Sequence, residues 1–195
     1  MSSIKKLSLG CLLLFLTTYG CAFGTRHVTL NPIKTSLVLD ASGQGVFVEV
    51  IDKRHPSLKP VVGHVKNAYG MKTASVVADK EVSIWVKDSI VDELKRFGAS
   101  VIEDRNNLDS KASRITVDVL VCYAQAYMRY GGEVTVALSV KKDTREIIKG
   151  KKYTGKVIPG TSWAATAKSY QKTLELAMED LLGKLMPDII MALKS

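Results

Sequence analysis

From Arg114 the chain alternates, and that alternation limits its folding options more than any other feature. Ile115, Val117, Val119, Val121, Tyr123 and Tyr127 share one parity, while Thr116, Asp118, Cys122 and Ala124 take the other. A period of two over so long a stretch is the mark of a half-buried strand. Gly131-Gly132 predicts a turn, and Val134, Val136, Leu138 and Val140 resume the alternation. Asp143-Thr144 predicts a second turn, and a more polar third strand runs from Glu146 to Val157. Three consecutive strands with short reversals imply an antiparallel meander with one apolar face that needs cover.

Two segments can supply the cover. Residues 80–97 place Val82, Trp85, Ile90, Leu94 and Phe97 at helical spacing. Asp79 is the expected N-cap, Lys95 and Arg96 suit the last turn, and Gly98 suits the stop. A closing helix follows Pro159-Gly160, capped by Thr161 or Ser162, with Ala167, Tyr170, Leu174, Ala177, Met178, Leu181 and Leu185 on one face. Pro187 predicts a kink before a last piece holding Ile189, Ile190 and Leu193. Upstream, 36–40 and 46–51 read as a strand pair joined by a Gly43/Gly45 turn; 63–67, 75–78 and 100–103 read as short extended runs. The expected class is α+β: a two-layer sandwich, mostly antiparallel sheet covered by two amphipathic helices.

The amino terminus concerns destination. Lys5 and Lys6 precede ten uncharged residues, Leu7 to Leu16, and Gly20 stands before Cys21. A basic start, a short apolar run and a small residue before the cut make an export signal. With Cys21 after the small residue, residues 1–20 resemble a bacterial lipoprotein signal. That resemblance implies that Cys21 becomes the first residue and carries lipid. Thr18 stands where such signals usually have an apolar residue. Ala22 follows the cysteine, and among sorted lipoproteins it is Asp at that place that implies retention in the inner membrane. The outer membrane, periplasmic face, is therefore the expected location. Residues 21–35 are expected to be a lipidated tether, and 36–195 a single domain.

Removing the signal takes away two lysines and no acid, so the net charge falls from +9 to +7. About 175 residues bury enough surface to fold without disulfides. Cys122 then reads as a small buried hydrophobe. Between 141 and 156, Lys141, Lys142, Arg145, Lys149, Lys151, Lys152 and Lys156 face only Asp143 and Glu146. This segment holds +5 of the charge and is the candidate contact for an anionic partner, whether lipid headgroups, lipopolysaccharide or an acidic protein. The other reading is a solvated hairpin whose lysines guard a sheet edge. Tyr123, Tyr127, Tyr130 and Tyr153 fall on or beside the same strands and read as core more readily than as a binding surface.

Catalytic patterns are lacking. GKKYTGK at 150–156 matches a phosphate-loop spacing, but Val157 replaces the magnesium-binding hydroxyl and the periodicity is that of a strand. His27, His55 and His64 have no metal or triad spacing, so neither metal nor cofactor is expected. Nucleic acid is an improbable partner for an exported chain.

The residues as a set resemble the YajG family of bacterial lipoproteins. The resemblance is carried by the signal ending at Cys21, by Val48, Val50, Asp52 and Arg54 in VFVEVIDKR, by Gly63, Val65, Lys66 and Asn67 in GHVKN, by Leu94 before Gly98, and by the closing helix with Asp180. It implies an envelope location and an α+β fold, and it brings no active-site residues. The expected function is non-enzymatic binding or scaffolding in the cell envelope. The alternatives are an auxiliary lipoprotein of an envelope transport or surface-assembly machine, and a periplasmic enzyme of unknown class.

Overall fold

The computed structural model describes residues 24–67, 69–104, 112–127, 129–158 and 166–195. Its strands are β1 (Arg26–Val28), β2 (Gly45–Asp52), β3 (Val61–Lys66), β4 (Lys72–Ala78), β5 (Ser100–Ile102), β6 (Ser113–Tyr127), β7 (Arg129–Lys142) and β8 (Arg145–Val157). Helix α1 (Val82–Arg96) lies between β4 and β5, and α2 (Ala167–Lys194) closes the chain. All eight strands form one mixed sheet.

Strand β6 is the spine. One edge pairs along its length with β7, antiparallel, and β7 pairs with β8. The other edge is shared. Its first half takes β2 in parallel, Val46↔Ser113 through Asp52↔Val119, with β5 beyond. Its second half takes β3, Gly63↔Ala124 through Val65↔Ala126, followed by β4 and β1. The meander is as expected and supplies most of the paired residues, but four of the seven strand pairings are parallel. Both helices lie on one face. Trp85 and Leu94 of α1, and Leu174 and Leu181 of α2, join Val46, Val48, Ile115, Val117, Val136 and Leu138 in one core. Alternation sends Glu49, Thr116, Asp118, Ser139 and Lys152 to the opposite face, which no described helix covers. The molecule is a two-layer α+β sandwich.

Several local expectations are corrected. The register of β6 slips between Val119 and Val121, and the slip reverses the buried parity. Ile115, Val117 and Val119 are buried, but beyond the slip it is Cys122 and Ala124 that are buried, with Val121 and Tyr123 only half-buried. Gly131 and Gly132 are not the turn. They lie within β7 opposite Gln125 and Ala124, and the β6–β7 pairing runs on past them to Tyr127↔Arg129. Gly132 serves the approach of α2: a Cβ there would come 2.8 Å from the Thr173 carbonyl oxygen. Gly155 does the same on β8, where a Cβ would overlap the Ala177 carbonyl.

Residues 36–40 form no strand, because β5 and β6 already occupy both edges of β2. Asp79 does not cap α1. Its Oδ1 accepts from the Leu30 N–H at 3.0 Å, and the helix begins after Glu81 with no side-chain cap. At the other end Gly98 takes the expected left-handed φ of 88°. The expected caps of α2, Thr161 and Ser162, lie outside the described residues; Thr166 caps it, accepting from the Ser169 N–H at 3.2 Å. The helix continues through Pro187, and burial of Ile189, Ile190 and Leu193 holds the turns beyond it.

The expected tether belongs to the domain from Arg26 onward. Strand β1 pairs with β4, and Leu30 is fully buried. The Trp85 indole N–H donates to the Asn31 carbonyl at 2.6 Å, and the Ile33 N–H donates to Ser89 Oγ at 3.1 Å. Thr35 Oγ1 donates to Glu93 Oε2 at 2.5 Å. The segment runs along α1 as a third strip of cover.

Candidate functional site

The basic hairpin is built by the last two strands. Lys141 and Lys142 end β7, and Arg145 through Lys156 occupy β8. The fold divides the seven cations. Lys142 Nζ donates to the Leu193 carbonyl at 2.9 Å and satisfies the end of α2. Lys151 Nζ lies 2.5 Å from Asp188 Oδ2. The Tyr153 hydroxyl donates to the same oxygen, and Lys151 sits 5.2 Å from the Tyr153 ring centroid. Lys156 Nζ pairs with Glu133 at 3.0 Å. Lys149 reaches Glu146 only loosely, at 3.8 Å, and its side chain is 84% exposed. Lys141, Arg145 and Lys152 have no ion pair or side-chain hydrogen bond among the described residues, and all three are exposed.

The electrostatics follow the contacts. The Lys151 ammonium and Tyr153 hydroxyl hold the Asp188 carboxyl below the usual carboxylate range. Burial, then the bond to Asp188, pushes the Tyr153 phenol up. Asp188 is thus a fixed anion on α2 that neutralises part of the patch and ties the helix to the sheet.

The edge of β8 is blunted along its whole length. Near its end, Asp180 Oδ2 accepts from the Lys156 N–H at 2.9 Å, and Lys184 Nζ donates to the Thr154 carbonyl at 3.0 Å. These α2 side chains occupy backbone groups that another strand would need. Burial raises the Asp180 carboxyl, but the Lys184 ammonium and the Lys156 N–H outweigh it and hold the group low. Near its start, β8 slips register twice against β7, between Leu138 and Val140 and again before Lys141, and Gly150 adopts a φ of 56°. Bulges and lysines are ways to keep a strand from pairing further. Beside this bulged half lies an open groove of ≈ 490 Å³ against the last turns of α2.

Other sequence candidates disperse. Tyr130 and Tyr153 are buried, Tyr130 edge-on to Tyr170 at 5.5 Å. Tyr123 packs edge-on to His64 at 5.7 Å, and the side chain of Tyr127 lies outside the described residues. The three histidines are not brought together: His27 is exposed on β1, His55 bonds Ser57 at 2.7 Å, and His64 is on β3. Among the described residues, no group of three or more His, Cys, Asp or Glu is placed to hold a metal ion. GKKYTGK is strand throughout. Burial pushes the Cys122 thiol up to about 12, which removes it as a nucleophile at neutral pH. Cys21 and the expected signal 1–20 lie outside the described residues.

Charge density could not reveal the polar joint where β2 parts from β3. Arg54 Nε and Nη2 clasp Asp52, with the closest contact at 2.8 Å. The remaining donors reach the Val61 carbonyl at 3.1 Å and the Lys59 carbonyl at 2.6 Å. Both side chains are less than a tenth exposed. Nearby, Gly63 allows β3 to approach β6, since a Cβ would overlap the Ala124 carbonyl. At the far end of β3, Asn67 Oδ1 accepts from the Tyr69 and Met71 N–H groups at 3.0 Å. Asp52 and Arg54 thus build the joint, Gly63 the close approach beside it, and Asn67 the β3–β4 turn. They support the fold and form no reactive centre.

No family model matches this chain, and no curated protein matches it. Solved structures do. Protein XCC0632 from Xanthomonas campestris, described as a DUF330 protein, is similar at a TM-score of 0.59 and 13% identity over 87% of this chain and 95% of that one. A second structure, of an uncharacterized protein, is similar at a TM-score of 0.54 and 10% identity, over 80% of this chain and 99% of that one. At such identities the likeness is one of fold.

Proposed function

We propose that the protein is a lipid-anchored lipoprotein of the outer membrane, facing the periplasm, with a non-enzymatic binding or scaffolding role of the kind its YajG resemblance implies. The observation that carries this reading is where the domain starts. Gly24 lies three residues after Cys21, a reach of at most about 10 Å. From Arg26 the chain is already in the sheet beside β4. An acylated Cys21 would hold the β1–β4 corner against the bilayer and leave the far end of the domain, with its unpartnered cations, turned toward the periplasm. A fixed stance of that sort suits a scaffold and equally an auxiliary component of a transport or assembly machine.

Intact-mass spectrometry of membrane-extracted protein tests the reading, with sucrose-gradient fractionation alongside. An acylated chain starting at Cys21, recovered with outer membranes, is the expected result. An unmodified chain starting at Met1, or recovery with inner membranes despite Ala22, overturns it.

A further inference from the structure

We propose that the groove between the bulged half of β8 and the last turns of α2 receives an acidic segment of a partner protein, with an aliphatic side chain seated between Ile147 and Met191. The inference rests on the anchored reading and adds the partner's chemistry. Ile147, Ile148, Lys149, Lys151, Met191 and Ala192 line the groove. Ile147 is 37% and Met191 64% exposed, an apolar pair at the surface with lysines at its rim. Lys151 is committed to Asp188, whose carboxylate also lines the groove, but Lys149 is loosely held, and Arg145 at the start of the same strand has no partner among the described residues. Apolar floor and cationic rim together fit carboxylates flanking an aliphatic residue.

Three other occupants fit less well. An added strand would meet two bulges at the start of β8 and the Asp180 and Lys184 side chains near its end. A second copy of this chain would set lysines against lysines, which is repulsive. The anchoring membrane is too far. Ile148 aligns through Val140 with Ile115 of β6, whereas His64 of β3 aligns with Gln125. Ten residues along β6 separate the two levels, about 33 Å. Helix α2 repeats the measure: Tyr170 bonds the His64 carbonyl, and Met191 lies 21 residues on, about 32 Å along the axis.

The test uses the full chain in detergent and a fluorescent peptide of alternating Leu and Glu. A peptide of alternating Ser and Glu and vesicles of phosphatidylethanolamine with phosphatidylglycerol serve as comparisons. The Leu/Glu peptide should bind and the Ser/Glu peptide should not. Met191→Glu and Lys149→Glu, both at exposed positions, should each weaken binding by about tenfold, the scale of losing an interface anchor. Lys72→Glu, at the β4 corner, should leave it unchanged. No Leu/Glu binding, equal binding of both peptides, or loss of vesicle binding rather than peptide binding in Met191→Glu would overturn the proposal. Failure of the anchored reading is seen separately, in the mass of the amino terminus.

Discussion

The two edges of β6 are built on different principles. Along one, β7 runs antiparallel from Arg114↔Lys141 to Tyr127↔Arg129, and neighbours in sequence become neighbours in space. Along the other, β2 and β3 share the edge in parallel and come from 60 or more residues upstream. The continuous edge needs only short reversals and glycines that admit α2. The divided edge leaves a gap where β2 departs, and the gap is filled with charge: the buried side chains of Asp52 and Arg54, the guanidinium donating both to the carboxylate and to the Val61 and Lys59 carbonyls. A sheet that forks must satisfy the backbone groups freed at the fork, and a short arginine–aspartate clasp does so without another strand.

Breaking the divided edge should have the largest effect. Arg54→Met leaves Asp52 buried without its cation, a change that costs about 3–5 kcal/mol. Urea denaturation should show that loss, and Asp52→Asn combined with Arg54→Met should recover part of it. A double variant no better than the single one would mean that the carbonyl contacts of Arg54, rather than the ion pair, hold the fork.

The continuous edge should yield less. Gly155→Ala forces a methyl group into the Ala177 carbonyl, and overpacking of this kind costs about 1–3 kcal/mol. Gly150→Ala on the same strand meets open space and should cost only about 1 kcal/mol, from its positive φ. Equal melting temperatures for the two variants would contradict the close helix approach.

A smaller effect, read by pH, separates the two edges again. On the α1 side, burial raises the Glu93 carboxyl, but the bonds from Arg96 and Thr35 outweigh it and hold the group below its ordinary value. Its contribution to stability is present above the unfolded carboxylate pKa and is lost as pH falls through the depressed one. Glu93→Gln should therefore flatten the acid limb of the stability profile. At β3, burial and then the Lys72 and Lys66 ammonium groups depress the His64 imidazole. The unfolded chain then binds more protons, so stability should decline as pH falls below about 6.5 and the decline should vanish in His64→Gln.

What the sequence disclosed follows the same division. Strands β6 to β8 and helix α1 announce themselves because their burial periods are local, as at Val134, Val136 and Leu138. The parallel pairing of Val48 with Ile115 depends on segments far apart, and no local period specifies it. The slip after Val119 is hidden for a related reason: apolar residues stand at both parities, so Val121 and Cys122 are equally good candidates for the core. At the candidate site the charge was legible and its disposition was not. Lys151 and Lys156 find Asp188 and Glu133 on other elements, and only Lys141, Arg145 and Lys152, with loosely held Lys149, remain as an outward patch.

The stance of the domain on the membrane is the central claim, and energy transfer measures it most directly. The lipidated full chain would be placed in nanodiscs carrying an acceptor lipid, with a donor dye at Lys72→Cys or at Lys149→Cys; Cys122 is buried and Cys21 is acylated in this reading. Position 72 should be strongly quenched and position 149 weakly, in keeping with levels separated by about 33 Å along β6. Equal quenching at both positions, or stronger quenching at 149, would contradict the account and bring the basic end down to the bilayer.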